Sequence, residues 1–72
     1  MRANVKPLTH WAIYKHYKMR VTSRNTDQVD GIFTTPSGEM SFEYNPIKMT
    51  IHMIGQIVQI NEHGWETEKT IL

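Results

Sequence analysis

Between positions 10 and 22 apolar residues recur at two-residue spacing. Trp11, Ile13, Tyr17, Met19 and Val21 share one face, broken only by Lys15, while His10, Ala12, Tyr14, His16, Lys18, Arg20 and Thr22 share the other. At the helical step of about 100° per residue the same groups split, with Leu8, Trp11, Ala12 and Met19 on one side and Ile13, Tyr14, Tyr17 and Val21 opposite. A helix would bury neither side cleanly. Alternation gives one core face of β-branched and aromatic residues, so the pattern predicts a long strand over 10–22.

Ser23 to Gly31 is polar, contains Asn25, Asp27 and Asp30, and ends in an Asp-Gly pair, the composition of a connection. Ile32 to Thr35 and Glu39 to Tyr44 flank Pro36-Ser37-Gly38, and Met40, Phe42 and Tyr44 alternate with Ser41 and Glu43, so a hairpin is expected there. Residues 46–60 fit two descriptions. Ile47, Met49, Ile51 and Met53 alternate with Lys48, Thr50 and His52, and a bend at Ile54-Gly55 would then lead into Val58 and Ile60. The same apolar residues also lie within an arc of about 200° on a helical wheel, with Asn45-Pro46 as a start signal. The stretch has no Ala, Leu or Glu, five Ile, and a glycine at its middle, which favours two strands over a helix. Asn61-Glu62-His63-Gly64 reads as a turn, and Trp65 to Leu72 alternates again as a last strand.

Strands at this spacing predict a mainly β fold, a small antiparallel barrel or sandwich of about five to six strands; the alternative is α+β with a helix at about 46–60. A chain of 72 residues allows a single domain, which hides only about 60 % of its unfolded surface. It contains no cysteine, so neither disulfides nor cysteine-bound zinc can staple it. The expected core is the bulkiest set of side chains: Trp11, Tyr17, Phe33, Phe42 and Trp65. Met1 to Leu8 lacks the apolar run of a signal peptide, and the longest unbroken apolar run is Trp11 to Tyr14. No membrane span and a cytoplasmic location are therefore expected.

Charge changes the picture most. Arg2, Lys6, Lys15, Lys18, Arg20 and Arg24 precede any acid, whereas from Asp27 onward seven acids face only Lys48 and Lys69. A net charge of +1 thus conceals a basic first third and an acidic remainder. Catalytic chemistry finds little footing. The four glycines stand singly, the serines fall mostly in turn or linker sequence, and Glu66 and Glu68 read as solvated charge. His10 and His16 would lie about 20 Å apart on a strand, with His52 and His63 remote in sequence, which is no metal-ligand spacing. No enzyme activity, cofactor or metal is expected.

What stands out is a basic row with rings in it. Tyr14, His16, Lys18 and Arg20 on the outward face of the first strand, flanked by Lys15 and Arg24, would offer cations for phosphates and a ring for base stacking. A non-enzymatic protein that binds single-stranded nucleic acid is one expectation. The other is a protein-binding adaptor or inhibitor that uses an exposed edge strand or apolar patch, toward a partner or a second copy of itself. In a third reading the last strand closes on the first, so that Glu66 and Glu68 face Lys18 and Arg20 and the charge asymmetry is internal pairing.

Overall fold

The computed structural model describes residues 3–72, so Arg2 of the basic third lies outside the described residues. The chain begins not with a strand but with a helix, α1 (Lys6–Tyr14). Pro7 sits in its first turn, where a missing N–H costs nothing. Asn4 accepts the Lys6 N–H on Oδ1 at 3.1 Å, and the Val5 carbonyl accepts both the backbone N–H and the hydroxyl of Thr9, each at 2.9 Å. Pro7, Leu8, Trp11 and Ala12 form its buried stripe at helical spacing.

The helix ends in a Schellman arrangement. His16 N–H donates to Ile13 O at 3.0 Å and Tyr17 N–H to Ala12 O at 2.9 Å, with His16 at φ 61, in the left-handed region that glycine usually fills. The Tyr17 ring then meets Trp11 edge-on at 5.7 Å, the apolar contact that accompanies such a cap. The expected strand over 10–22 is therefore corrected to a helix followed by a strand, β1 (Lys18–Arg24). A window from 10 to 22 straddles the boundary at residues 15–17 and mixes two periods. Leu8, Trp11 and Ala12 already marked the helical face, while Met19 and Val21 belong to the strand.

Five more strands follow: β2 (Val29–Thr35), β3 (Gly38–Asn45), β4 (Thr50–Met53), β5 (Gln56–Ile60) and β6 (Glu66–Ile71). Each pairs antiparallel with the one before, giving one six-stranded sheet in the order β1-β2-β3-β4-β5-β6. The mainly β expectation and its strand number hold, and so does the β2–β3 hairpin. The segment 46–60 forms two strands joined at Ile54-Gly55; the alternative helix there is not formed. The connection placed at Ser23–Gly31 is shorter, because β1 runs through Arg24 and β2 starts at Val29. Among the described residues no pairing joins β6 to β1, so the sheet stays open.

One face of the sheet is the core. Val29, Phe33, Phe42, Tyr44, Ile51, Met53, Val58 and Ile60 point to the same side as Leu8, Trp11 and Ala12 of the helix, and all are buried. A flat six-stranded sheet would be about 24 Å wide, more than a single helix about 10 Å across can cover. Burial of residues from four successive strands thus requires the sheet to coil around α1. Phe33 and Phe42 stack at 4.2 Å, and Gly31, opposite Phe42, leaves the space that the Phe42 ring occupies. Trp65, expected in this core, is 56 % exposed instead; Tyr44, absent from the expected set, is fully inside.

Gly64 fixes how the β5–β6 turn meets the helix. It is buried at φ 84, and a Cβ there would lie 2.7 Å from Pro7 O and 2.8 Å from Trp11 N, so only glycine lets the turn touch the helix backbone.

Candidate interaction surface

The six residues of the expected basic-aromatic row do not share one strand face. Tyr14 is the last residue of α1, Lys15 its C-cap and His16 the left-handed residue after it; only Lys18, Arg20 and Arg24 lie on β1. The placement of Tyr14, Lys15 and His16 on the first strand is corrected accordingly, since the Schellman turn separates them from it. Three of the six are also engaged within the molecule. The Tyr14 ring stacks on Trp65 at 4.3 Å with 10° between planes, and its hydroxyl donates to His63 O at 3.2 Å. Lys15 Nζ lies 2.8 Å from Glu66 Oε1. Arg24 Nη2 donates to Ala3 O at 2.7 Å. His16, Lys18 and Arg20 are exposed, and among the described residues Lys18 and Arg20 form no ion pair.

Glu66 is the hub of the engaged group. Its Oε1 also accepts the Trp11 indole N–H at 3.1 Å, so two residues one helical turn apart, Trp11 and Lys15, converge on one carboxylate. Hydrogen bonding from Lys15 holds the Glu66 carboxyl below its ordinary range against partial burial, with the Trp11 indole adding to the effect. Internal pairing of the basic third with the acidic last strand thus occurs, through Lys15 from the helix end. The expected route, Glu66 and Glu68 facing Lys18 and Arg20 across a closed barrel, does not, because β6 and β1 are not neighbours. The sequence signal for the actual pairing was Lys15 itself, the one residue that broke the apparent strand alternation.

A carboxylate clip and an aromatic stack thus hold the start of β6 to the helix while the strand itself stays open. All six residues from Glu66 to Ile71 are exposed. At its far end Leu72 N–H donates to Gly55 O at 2.9 Å. By strand alternation Glu68 and Thr70, like Leu72, direct their backbone groups to β5, and Lys69 and Ile71 direct theirs outward. This free edge is flanked by apolar surface. Trp65 precedes it, and Ile71 (70 % exposed) and Leu72 (75 %) at its end and Ile54 (87 %) in the β4–β5 turn that it reaches are all exposed.

The other face of the sheet carries a shallow open cleft of about 530 Å³, lined in part by Thr22, Asp30, Ile32, Ser41, Glu43 and His52. Asp30, Glu43 and His52 stand in one cross-strand row there, so Lys18 and Arg20 share their face with acids rather than with further cations. Among the described residues no three His, Asp or Glu side chains gather as a metal-holding group, and no helix is long and apolar enough to cross a membrane. Compared with protein-family models, curated proteins and solved structures, the chain matches none.

Proposed function

We propose that the protein is a small non-enzymatic binding module that engages another polypeptide along the free edge of β6, by adding a strand to its sheet. The observation that carries this reading is the state of β6: exposed along its whole length, paired on one side only, and bracketed by exposed Trp65, Ile71 and Leu72. An unpaired edge offers a row of N–H and C=O groups as a template for an incoming strand, and neighbouring side chains supply selectivity. An exposed Trp is a residue type that anchors protein contacts, and exposed aliphatics add apolar area for a partner to bury. The nucleic-acid reading has less support, because its cations divide between the end of α1 and β1 and one face of the ring meant for base stacking is already stacked on Trp65.

The test is a titration of isotope-labelled protein, followed by amide chemical shifts, with synthetic extended octapeptides of alternating apolar and basic residues. Shifts concentrated on Lys69, Ile71 and their neighbours are expected, and Ile71→Pro should abolish them while leaving the fold, since that N–H faces outward and bonds nothing in β5. Silence of β6 toward every strand peptide overturns the proposal. A single-stranded oligonucleotide that instead moves the Lys18 and Arg20 amides, with affinity falling steeply in salt, would replace it with the nucleic-acid reading.

A further inference from the structure

If β6 receives a strand, the chain itself holds a suitable one, and we infer that the occupant is β1 of a second copy, joined head to tail. This inference rests on the edge-binding reading above and adds the partner. Six antiparallel strands place β1 and β6 in opposite directions, so a second copy in the same orientation sets its β1 antiparallel to β6 and continues the meander without a break.

Hydrogen-bond phase agrees. Asn25 N–H donates to Gln28 O at 2.9 Å, so Gln28 points toward β1, and by alternation Ile32 and Thr34 do as well. Their partners Arg20 and Lys18 therefore bond to β2, which leaves the backbone groups of Met19 and Val21 on the free side. On β6 the outward backbone groups are those of Lys69 and Ile71. Side-chain faces agree too. Met19 lies opposite buried Phe33 and Lys69 opposite buried Val58, so these strand positions present their side chains to the helix-bearing face in both edges.

Within that phase, charge selects the partner. Pairing Met19 with Lys69 sets Arg20 directly opposite Glu68 on the outer face, at a position without ladder hydrogen bonds, where side chains approach most closely. Tyr17 and Ile71 then meet on the inner face. Arg20 and Glu68 are both exposed, and neither has an ion-pair partner among the described residues. Symmetric pairings about the charged positions are worse, and two β6 edges centred on Thr70, though free of like-charge contacts, gain no opposite-charge pair. Two β1 edges centred on Met19 set Lys18 against Arg20 twice, and two β6 edges centred on Glu68 or Lys69 set like charges opposite one another. A head-to-tail contact uses different patches on the two copies and so builds a ring or an open chain, not a two-fold dimer.

The experiment is sedimentation equilibrium of the intact protein across concentration, at low and high salt. The wild type is expected to grow in mass with concentration and less so at high salt, because the pair is solvent-exposed. Glu68→Arg and Arg20→Glu should each weaken association by about tenfold, and the double variant should restore it. Circular dichroism melts confirm that all three fold, as substitutions at exposed positions should. A wild type that stays monomeric at every concentration, or single variants that associate as well as the wild type, would overturn the inference. Octapeptide titration of the same samples separates the two levels: a monomer whose β6 still binds strand peptides loses only the second copy as partner, whereas a monomer with silent β6 loses the edge-binding reading as well.

Discussion

The β2–β3 hairpin and the β5–β6 pair are both antiparallel strand pairs, but they differ in what holds them: one is buried and the other carries an exposed outer strand. The β2–β3 pair runs in unbroken register from Val29–Tyr44 to Thr35–Gly38, with Phe33, Phe42, Val29 and Tyr44 all inside the core. The β5–β6 pair has a register irregularity at Gln59/Ile60, and its outer strand buries nothing. What holds β6 is a set of point attachments: the Glu66 clip to Lys15 and Trp11, the Tyr14–Trp65 stack and the Leu72–Gly55 bond. In this fold the centre is stabilised by burial and the edge by polar and aromatic attachments that leave its outward backbone unspent. Binding elements are generally drawn from regions with few buried apolar contacts.

Substitutions should separate the two regions by the size of their effect. Phe33→Ala removes a fully buried ring from the central hairpin and should cost about 3–5 kcal/mol, comparable with all the stability expected of a core this small, so the variant should be largely unfolded by circular dichroism. Gly64→Ala acts at the junction between β6 and the helix. It adds a left-handed alanine and a clash with the backbone of Pro7 and Trp11, for a cost of about 3 kcal/mol in denaturant midpoint experiments.

Tyr44 sharpens the account of the centre. Its hydroxyl is buried without a partner among the described residues, and desolvation pushes its pKa from 10.0 up to about 12. A group whose folded pKa is raised stabilises fully below the unfolded value, so stability should fall as pH climbs from 10 toward about 12. Tyr44→Phe should gain about 1 kcal/mol at neutral pH and flatten that alkaline decline, as read by thermal melts across pH.

The smallest effect belongs to the edge. Glu66→Gln should cost under about 1 kcal/mol, since the pair is about one-third exposed on both sides and solvent screens it. Because the folded Glu66 carboxyl is held low, its contribution is present above the ordinary carboxylate range and lost as pH falls through the folded value. The variant should lack that acid-side loss while the amide shifts of the β2–β3 hairpin stay unchanged.

Much of the sheet was legible from residue order because its signals are local. Pro36-Ser37-Gly38 between alternating runs, Ile54-Gly55 within 46–60 and Gly64 after Asn61 each mark a turn that the chain makes. The helix was not legible because its punctuation is atypical. Val5 gives no side-chain cap, and the residue that ends the helix is His16 where glycine would have flagged a stop. Its stability comes from Leu8, Trp11 and Ala12 docking on a sheet assembled from residues far along the chain, and from Gly64 admitting the β5–β6 turn. Trp65 was misplaced for a related reason: bulk suggested the core, but its partner is Tyr14 at the surface. Of the expected basic row, only His16, Lys18 and Arg20 remain free of the internal contacts described. The free edge of β6 had no sequence signature, because which strand ends a sheet is decided by the pairing order of all the others.

Amide hydrogen exchange on β6 probes the open edge most directly. In dilute protein the amides of Lys69 and Ile71 should exchange almost as fast as in an unstructured chain, while those of Glu68, Thr70 and Leu72, bonded toward β5, exchange more slowly. Equal protection of all five in dilute protein would mean that the edge is already covered, and would contradict the account.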